Sequence, residues 1–313
     1  MKTKERQVME NNHIKEDEIL ITGSNGLVGQ ELRILFPGAV HVTSKDFDLT
    51  NEEEVKRMFR THKPKTIVHL AARCGGIMDN IMRPASYFDD NVIMNAMMVK
   101  HAYENDVQRF IAILSSCIFP DNIADYPIDE DRLHDGAPAP TNFSYGYAKR
   151  CMAVQIDAYN KQYGTQYNYV IPCNLYGKND KIGVNKSHFV TALLRKIKQA
   201  VENNDDHIVL FGDGTPLRQF MHCRDLAQVL KIMITQKIYD NFNIATEESL
   251  SIEDIAKMGL EATGNTHLKI RYDKSKSNGQ YRKDISIKKM KSIIKNYNFI
   301  PLMDGMKEVY ETL

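Results

Sequence analysis

Tyr145 and Lys149 stand four positions apart in Ser144-Tyr145-Gly146-Tyr147-Ala148-Lys149. On a helix this spacing puts both side chains on one face, about 5–6 Å apart at Cβ. An ammonium beside a phenol favours the phenolate and draws the tyrosine pKa below its usual value of about 10. Such a tyrosine can donate a proton to a carbonyl oxygen as that carbonyl is reduced, or take one from an alcohol. Upstream, Ser115-Ser116-Cys117 offers a hydroxyl able to hold the same oxygen. Helices carry a Tyr-x-x-x-Lys pair by chance as well, so its meaning depends on what precedes it.

What precedes it is an apolar run, Glu18-Ile19-Leu20-Ile21-Thr22, that ends in Gly23-Ser24-Asn25-Gly26-Leu27-Val28-Gly29. A strand, a glycine turn and then a helix over Gln30–Phe36 form a pyrophosphate cradle. The glycines allow the tight turn and let backbone N–H groups approach the anion at the helix N-terminus. A second strand, Val40–Ser44, ends in Thr43, Ser44 and Lys45, where an acidic residue would bond a ribose 2′-hydroxyl. Hydroxyls and a cation suit a 2′-phosphate better, which favours NADP(H) over NAD, although Asp46 nearby opposes that reading. Asp48 and Leu49 are expected near the adenine. A third strand, Thr66–Leu70, ends in Leu70-Ala71-Ala72, small enough to let a dinucleotide lie close.

The elements that must hold these groups follow in alternation. Helices are expected over Glu52–His62, Pro84–Asn105 and Asn142–Tyr163, with strands at Phe110–Leu114 and Asn168–Ile171. The fourth strand delivers Ser115, Ser116 and Cys117 at its C-terminal end, the edge where open parallel sheets bind ligands. This rhythm predicts an α/β fold, a Rossmann-type doubly wound parallel sheet with right-handed crossovers. The methionines of the second helix, Met94, Met97 and Met98, read as packing residues. After Gly177 the rhythm loosens. Lys178 to Lys186 reads as a polar loop and Ser187–Val201 as a helix. Ile208–Phe211 reads as a strand before the turn Gly212–Pro216. Shorter elements follow at Asn241–Ala245, Ser251–Thr263 and Leu268–Tyr272. The expected division is a frayed extension at 1–17, a dinucleotide-binding domain mainly at 18–177, and a smaller α/β substrate lobe mainly at 178–313. Some segments of the last are expected to return to the first domain.

Composition narrows the partners. Lys+Arg is 41 against Asp+Glu 40, a balance that gives no support for nucleic acid. No apolar run approaches the roughly 20 residues of a membrane span, and Met1 to Glu18 has no signal-peptide core. Cys74, Cys117, Cys151, Cys173 and Cys223 are odd in number and scattered, which speaks against disulfides or a metal site and for a reducing cytoplasm.

Gly23-x-x-Gly26-x-x-Gly29, Ser115 and Tyr145-x-x-x-Lys149, in that order, resemble an extended short-chain dehydrogenase/reductase. Further segments narrow the resemblance to the GDP-L-fucose synthase family. They are Ala71-Ala72-Arg73-Cys74-Gly75-Gly76-Ile77, Ser115-Ser116-Cys117-Ile118-Phe119-Pro120, Asn174-Leu175-Tyr176-Gly177, Asn185-Lys186-Ser187-His188 and Gly212-x-Gly214-Thr215-Pro216-x-Arg218. The resemblance implies epimerisation of GDP-4-keto-6-deoxy-D-mannose at C3 and C5, then reduction at C4 by NADPH. It casts Cys117 and His188 as the proton-transfer pair, with Ser115, Tyr145 and Lys149 polarising the C4 oxygen at both stages. It also implies cofactor contacts from Pro172, Leu175 and His188, and substrate contacts from Asn174, Lys196, Phe211, Arg218 and Lys283. Arg218 and Lys283, with Arg282, fall to the diphosphate. A homodimer through the helices that begin at Pro84 and Asn142 is implied too.

Three departures from the family pattern stand out. Ser24-Asn25 replaces a usual His-Arg pair, which removes an arginine from the 2′-phosphate corner. Cys74 replaces a usual valine. The loop Ser277–Arg282 lacks the usual Asp-Gly-Thr-Pro. Related GDP-4-keto sugars (a heptose, or the 3,6-dideoxy precursor of colitose) therefore remain alternatives, as does a single-function epimerase or 4-reductase. A non-catalytic NADP-binding regulator is opposed by the intact Ser115, Tyr145 and Lys149.

Overall fold

The structure is a computed structural model that describes residues 15–180 and 188–313. Most of the expected N-terminal extension, the segment Asn185-Lys186-Ser187, and the expected helix start at Ser187 lie outside the described residues.

Strand β1 (Ile19–Thr22) is buried along its whole length, the pattern of a central parallel strand covered on both faces. It leads through the glycine turn into α1 (Leu27–Leu35), then β2 (Val40–Val42), α2 (Glu52–His62) and β3 (Thr66–His69). Helix α2 is fixed at its start by Asn51, whose side chain accepts from the Glu53 and Glu54 N–H groups. A short α3 (Ile77–Met82) precedes the long α4 (Pro84–Glu104), β4 (Arg109–Ile113), α5 (Phe143–Tyr163) and β5 (Tyr167–Pro172).

Then come β6 (Asn174–Tyr176), α6 (Phe189–Asn203), β7 (His207–Phe211), β8 (Leu217–Arg218), β9 (Phe220–His222) and α7 (Cys223–Thr235). The chain closes with β10 (Phe242–Ile244), β11 (Leu250–Ser251), α8 (Ile252–Ala262), β12 (Lys269–Asp273), α9 (Lys288–Ile293) and α10 (Leu302–Glu311).

The main sheet has the order β10-β5-β4-β3-β1-β2, all parallel. Helix α4 packs against α5 and α2, and α1 packs against α7. The sixth strand thus comes from far down the chain, at Phe242–Ile244, and α7 packs back onto the first helix. Helix α7 was not foreseen. Its buried apolar residues (Cys223, Leu226, Ala227, Val229, Leu230, Met233, Ile234) share one broad face, with Arg224, Gln228, Lys231 and Thr235 opposite, so its helical period was there to be read. Met94 and Met98 are core residues, as their helical spacing suggested.

A second apolar cluster joins α6, α8 and α10 with β7, through Leu193, Leu194, Ile197, Ile208, Leu210, Ile255, Leu260, Met306 and Val309. Around it lie three two-stranded sheets: β12 with β7, β6 with β9, and β11 with β8. No helix among the described residues is long and apolar enough to cross a membrane.

Candidate active site

The glycine turn comes first because everything else is aimed at it. Gly23 has φ of +68°, and a Cβ there would lie 2.8 Å from the Ala71 nitrogen. A Cβ on Gly29 would meet the Gly23 oxygen and Ser24 Cα at 2.5 Å. The turn is therefore closed against the end of β3 and against its own helix, as the glycine spacing predicted. Helix α1 starts at Leu27, three residues earlier than expected, and its cap Gly26 offers no side chain to the first-turn N–H groups. That arrangement leaves a helix N-terminus suited to a phosphate anion. Ser24 is buried, with its hydroxyl donating to the Ile21 carbonyl at 2.6 Å, while Asn25 is exposed. Behind the turn, Ala71 N donates to Thr22 Oγ1 at 3.2 Å. Thr22 Oγ1 in turn lies 2.8 Å from His69 Nδ1, and His69 Nε2 lies 3.1 Å from Asn95 Oδ1. Burial drags the His69 pKa down to about 3, so this ring is a neutral tie between β1, β3 and α4.

At the end of β2, Thr43 donates from its N–H and hydroxyl to Asp46 Oδ2, at 2.8 and 2.7 Å. These bonds hold Asp46 ionised. Ser44 and Lys45 are exposed. A cation missed at the sequence level stands at the same corner. Arg33 reaches back from α1 to the Ser24 carbonyl at 3.2 Å and to Asn25 Oδ1 at 3.4 Å. Its signal was its position on α1, about one turn beyond Gly29. Asp48 bonds Thr50, and Leu49, expected near adenine, is packed into the core. Val28 and Pro172 are likewise buried, and Leu70, Ala71, Ala72 and Leu175 are partly exposed.

Ser115, Cys117, Tyr145 and Lys149 come together where β4 ends against the start of α5. Ser115 caps a 3-10 turn over Ser116–Ile118, accepting from Cys117 N at 3.3 Å. Lys149 is 1% exposed and donates to the Ile113 carbonyl at 2.9 Å. Burial lowers its pKa to about 8. The expected depression of the Tyr145 pKa is not what the structure gives. Burial raises the phenol well above its ordinary value, and the nearby Cys74, Cys117 and Tyr87 add to the rise. Lys149 spends its hydrogen bond on a carbonyl and is itself desolvated, so its ammonium does not offset the burial of the phenol. Tyr145 is therefore a proton-bearing group near neutrality. Its ring meets the buried Tyr87 edge-on at 6.3 Å, and Tyr87 donates to Asp79 Oδ2 at 2.7 Å. Neither was foreseen.

Cys117 behaves oppositely. Burial alone would raise its pKa, but the Lys283 ammonium, the Ser115 hydroxyl and the Arg218 guanidinium together hold the thiol below its ordinary value. Lys283 Nζ lies 3.3 Å from Cys117 Sγ. Cys173 is the control within the same chain: burial pushes it up to about 12. Lys283, expected at the diphosphate, is thus directed at the thiol. Arg218 donates from Nη1 to the Leu217 and Tyr281 carbonyls at 2.7 and 3.3 Å, and from Nη2 to the Gln280 carbonyl at 2.5 Å. Its neighbour Arg282 is paired with Asp284 at 2.6 Å. Asn174 Nδ2 donates to the Gln219 carbonyl at 2.9 Å, beside Arg218 in sequence.

His188 begins α6. Its Nδ1 lies 3.0 Å from Asp180 Oδ1, and its N–H donates to Asp180 Oδ2 at 2.8 Å. The Asp180 side chain is 1% exposed while that of His188 is 38% exposed, so a buried carboxylate orients a ring whose other edge reaches solvent. Asp180 was missed because only its placement in space, eight residues before His188, gives it meaning. Lys196 and Phe211 form a separate patch. Lys196 Nζ donates to the Val209 carbonyl at 2.6 Å and lies 5.0 Å from the exposed Phe211 ring. Burial lowers the Lys196 pKa.

The fold and this constellation are those of a dinucleotide-dependent enzyme of the extended short-chain class. Residues 19–245 match the NAD dependent epimerase/dehydratase family, and the chain belongs to it. The particular likeness is to GDP-L-fucose synthases. A GDP-L-fucose synthase from Dictyostelium discoideum is 35% identical over 302 residues, covering 93% of each chain. A GDP-L-colitose synthase from Yersinia pseudotuberculosis is 32% identical over 279 residues, covering 85% of this chain and 88% of its own. Among solved structures, a GDP-L-fucose synthetase from Naegleria fowleri bound to NADP superposes with a TM-score of 0.85 at 30% identity, covering 96% of this chain and 95% of that one.

Proposed function

We propose that the chain is an NADPH-dependent epimerase–reductase that converts GDP-4-keto-6-deoxy-D-mannose to GDP-L-fucose. The observation that carries this reading is the meeting, where β4 ends against α5, of the Tyr145 phenol, kept protonated by burial, with the Cys117 thiol, whose sulfur lies 3.3 Å from the Lys283 ammonium. A simple ketone reductase needs the first and has no use for the second. The closed glycine turn, the uncapped start of α1 and the cations Arg33 and Lys45 fit a phosphorylated dinucleotide. When bound, NADPH supplies the hydride for the C4 carbonyl.

The chain's own residues divide the remaining work. The 4-keto group acidifies the protons on its neighbouring carbons. Cys117 removes a proton there and His188, oriented by Asp180, supplies one. Tyr145 and Ser115 hold the C4 oxygen while negative charge develops on it, and Tyr145 protonates it at reduction. Lys149 anchors this end to β4 through the Ile113 carbonyl. Lys196 and Phe211 offer an aromatic face beside a cation for the nucleotide, with Asn174 and Arg218 toward the diphosphate. We read residues 18–177 as mainly the cofactor domain and the second apolar cluster as the substrate lobe. A cytoplasmic homodimer through α4 and α5 fits the apolar side chains exposed on them, Ile93 and Val154 among others.

A second reading keeps the chemistry and changes the sugar. Cys74 lies close enough to Tyr145 and Lys149 to affect the titration of both, at a position where a valine is usual. That alteration at the sugar's reacting end favours testing a 3,6-dideoxy or heptose analogue.

The test is to follow NADPH oxidation with GDP-4-keto-6-deoxymannose in deuterated water. Oxidation with deuterium at C3 and C5 of the product is expected. Oxidation with deuterium at one carbon makes it a monoepimerase–reductase. Exchange without oxidation removes the reductase half. No signal, followed by turnover of the dideoxy or heptose substrate, replaces the fucose assignment.

A further inference from the structure

Lys283 is delivered to Cys117 by a segment whose backbone is tied on both sides. Leu217 N donates to the Tyr281 carbonyl at 2.8 Å, Ile128 N to the Asp284 carbonyl at 2.9 Å, and Ile285 N to Gln219 Oε1 at 2.8 Å. Arg218 holds the same segment through the Gln280 and Tyr281 carbonyls. With its flanks pinned, Lys283 is only 9% exposed and has its ammonium 3.3 Å from the thiol sulfur. A buried ammonium is unfavourable unless it finds a negative partner, and a thiolate at this distance is one. The groups facing Cys117 are Lys283 and Arg218 from the C-terminal half, Ser115 from its own turn, and Tyr145 from α5. Two are cationic, and neither of the others is charged near neutrality.

We propose that Lys283 is a positioning residue: its ammonium, held against the sulfur by a pinned segment, favours the thiolate of Cys117, the group that takes the proton in the epimerisation. This rests on the epimerase–reductase reading. The thiolate takes the proton from the carbon beside the ketone and becomes a thiol, and the C–H electron pair passes into the enolate oxygen. His188 then returns a proton to that carbon, and the thiol gives its proton back to solvent or to His188 before the next round. Arg218 supports the arrangement from one step back, by locking the segment that carries Lys283.

The test reads the thiol, not turnover. Alkylation of Cys117 by iodoacetamide, resolved by peptide mass spectrometry, is followed against pH in the substrate-free protein. In K283M the midpoint is expected to rise by about 1–3 pH units, as for loss of an opposite charge at this range, and K283R is expected to keep most of the depression. Should K283M fail to fold, the difference ultraviolet spectrum between the parent and C117S answers the same question. A thiolate band that titrates below the ordinary thiol range supports the proposal, and one that titrates within or above that range overturns it.

An unchanged midpoint in K283M also overturns it. A further outcome that would overturn it comes from adding GDP to the parent. If GDP raises the midpoint as far as K283M does, Lys283 leaves the thiol for the diphosphate when the base is needed. Failure of the function reading looks different: the low thiol midpoint persists, but no GDP-4-keto sugar is turned over.

Discussion

Two lysines in this chain stand beside weak acids, and they do opposite things. Lys149 is four residues from Tyr145 on one helix, yet its ammonium bonds the Ile113 carbonyl and burial raises the phenol above its ordinary pKa. Lys283 is 166 residues from Cys117 in sequence, yet its ammonium touches the sulfur and the thiol falls below its ordinary value. Sequence proximity puts a charge on the right face. Only direct contact lets that charge outweigh desolvation. On the proposed mechanism the consequence is a division of labour: a proton donor on α5 for the oxygen and a proton acceptor just after β4 for the carbon.

The largest expected effect tests the donor side. Y145F should lower the rate of C4 reduction by about 10²–10⁴-fold, the usual worth of a positioned general acid. Single-turnover reduction of an already epimerised ketone measures it without involving Cys117. Reduction within a few-fold of the parent would mean the raised phenol pKa has no catalytic use. C117A should leave that single-turnover step nearly intact while abolishing deuterium exchange. Equal loss of both steps in C117A would collapse the two sides into one.

Lys149 allows a stability test of the same contrast. Its folded pKa of about 8 lies below the ordinary 10.5. The unfolded chain therefore binds more protons between those values, and the parent gains stability as pH rises through them. Below pH 8 the full cost of burying the charge is present, about 3 kcal/mol. K149M removes that cost. It should melt higher than the parent at pH 7, with the difference shrinking toward pH 10. A difference independent of pH would show that packing, not charge, sets it.

D180N probes how His188 is held. Losing a charge-assisted bond to the ring is worth about 1.5–3 kcal/mol, so exchange should slow by roughly 10–100-fold with reduction of the epimerised ketone unchanged. If D180N matches the parent in exchange, the pair is only a helix cap and the acceptor side does not depend on an oriented imidazole.

How much of this was legible follows from the same contrast. The glycine turn and the alternation of strands and helices through β5 depend on local spacing, and the sequence showed them; that Ser115 would meet Tyr145 and Lys149 was implied by the resemblance. Helix α7 carries a plain helical period, with Leu226, Leu230, Met233 and Ile234 opposite Arg224, Gln228 and Lys231, so it was legible and was overlooked. The sixth strand was read as a short element at Asn241–Ala245, but its place beside β5, like the Lys283–Cys117 contact, depends on chain returning from far away, which spacing cannot encode. Asp180 and Tyr87 act through neighbours, so their types alone carried no signal. The sign of the Tyr145 shift was misread for a related reason: it depends on how deeply the phenol is buried, which a motif does not state.

The smallest expected effect concerns a long-range substitution of one cation for another. The usual arginine of the glycine turn is absent, with Asn25 in its place, and Arg33 extends from α1 to Ser24 and Asn25 at the same corner. Asp46, kept ionised by Thr43, stands near enough for Arg33 to contribute to its shift. A 2′-phosphate there meets a guanidinium and a carboxylate together, so the net preference for NADPH over NADH should be modest. R33M should weaken binding of adenosine 2′,5′-bisphosphate by about fivefold, the roughly 1 kcal/mol of a solvent-screened charge contact, and leave 5′-AMP unaffected. D46N should shift the same ratio the other way. Calorimetric titration of the two nucleotides measures both. If R33M weakens both nucleotides equally, Arg33 serves to hold the glycine turn in shape, and the 2′-phosphate is recognised by Lys45 and the hydroxyls of Thr43 and Ser44. The corner would then resemble Lys149, a cation bound to main-chain carbonyls, rather than Lys283, a cation committed to the group it activates.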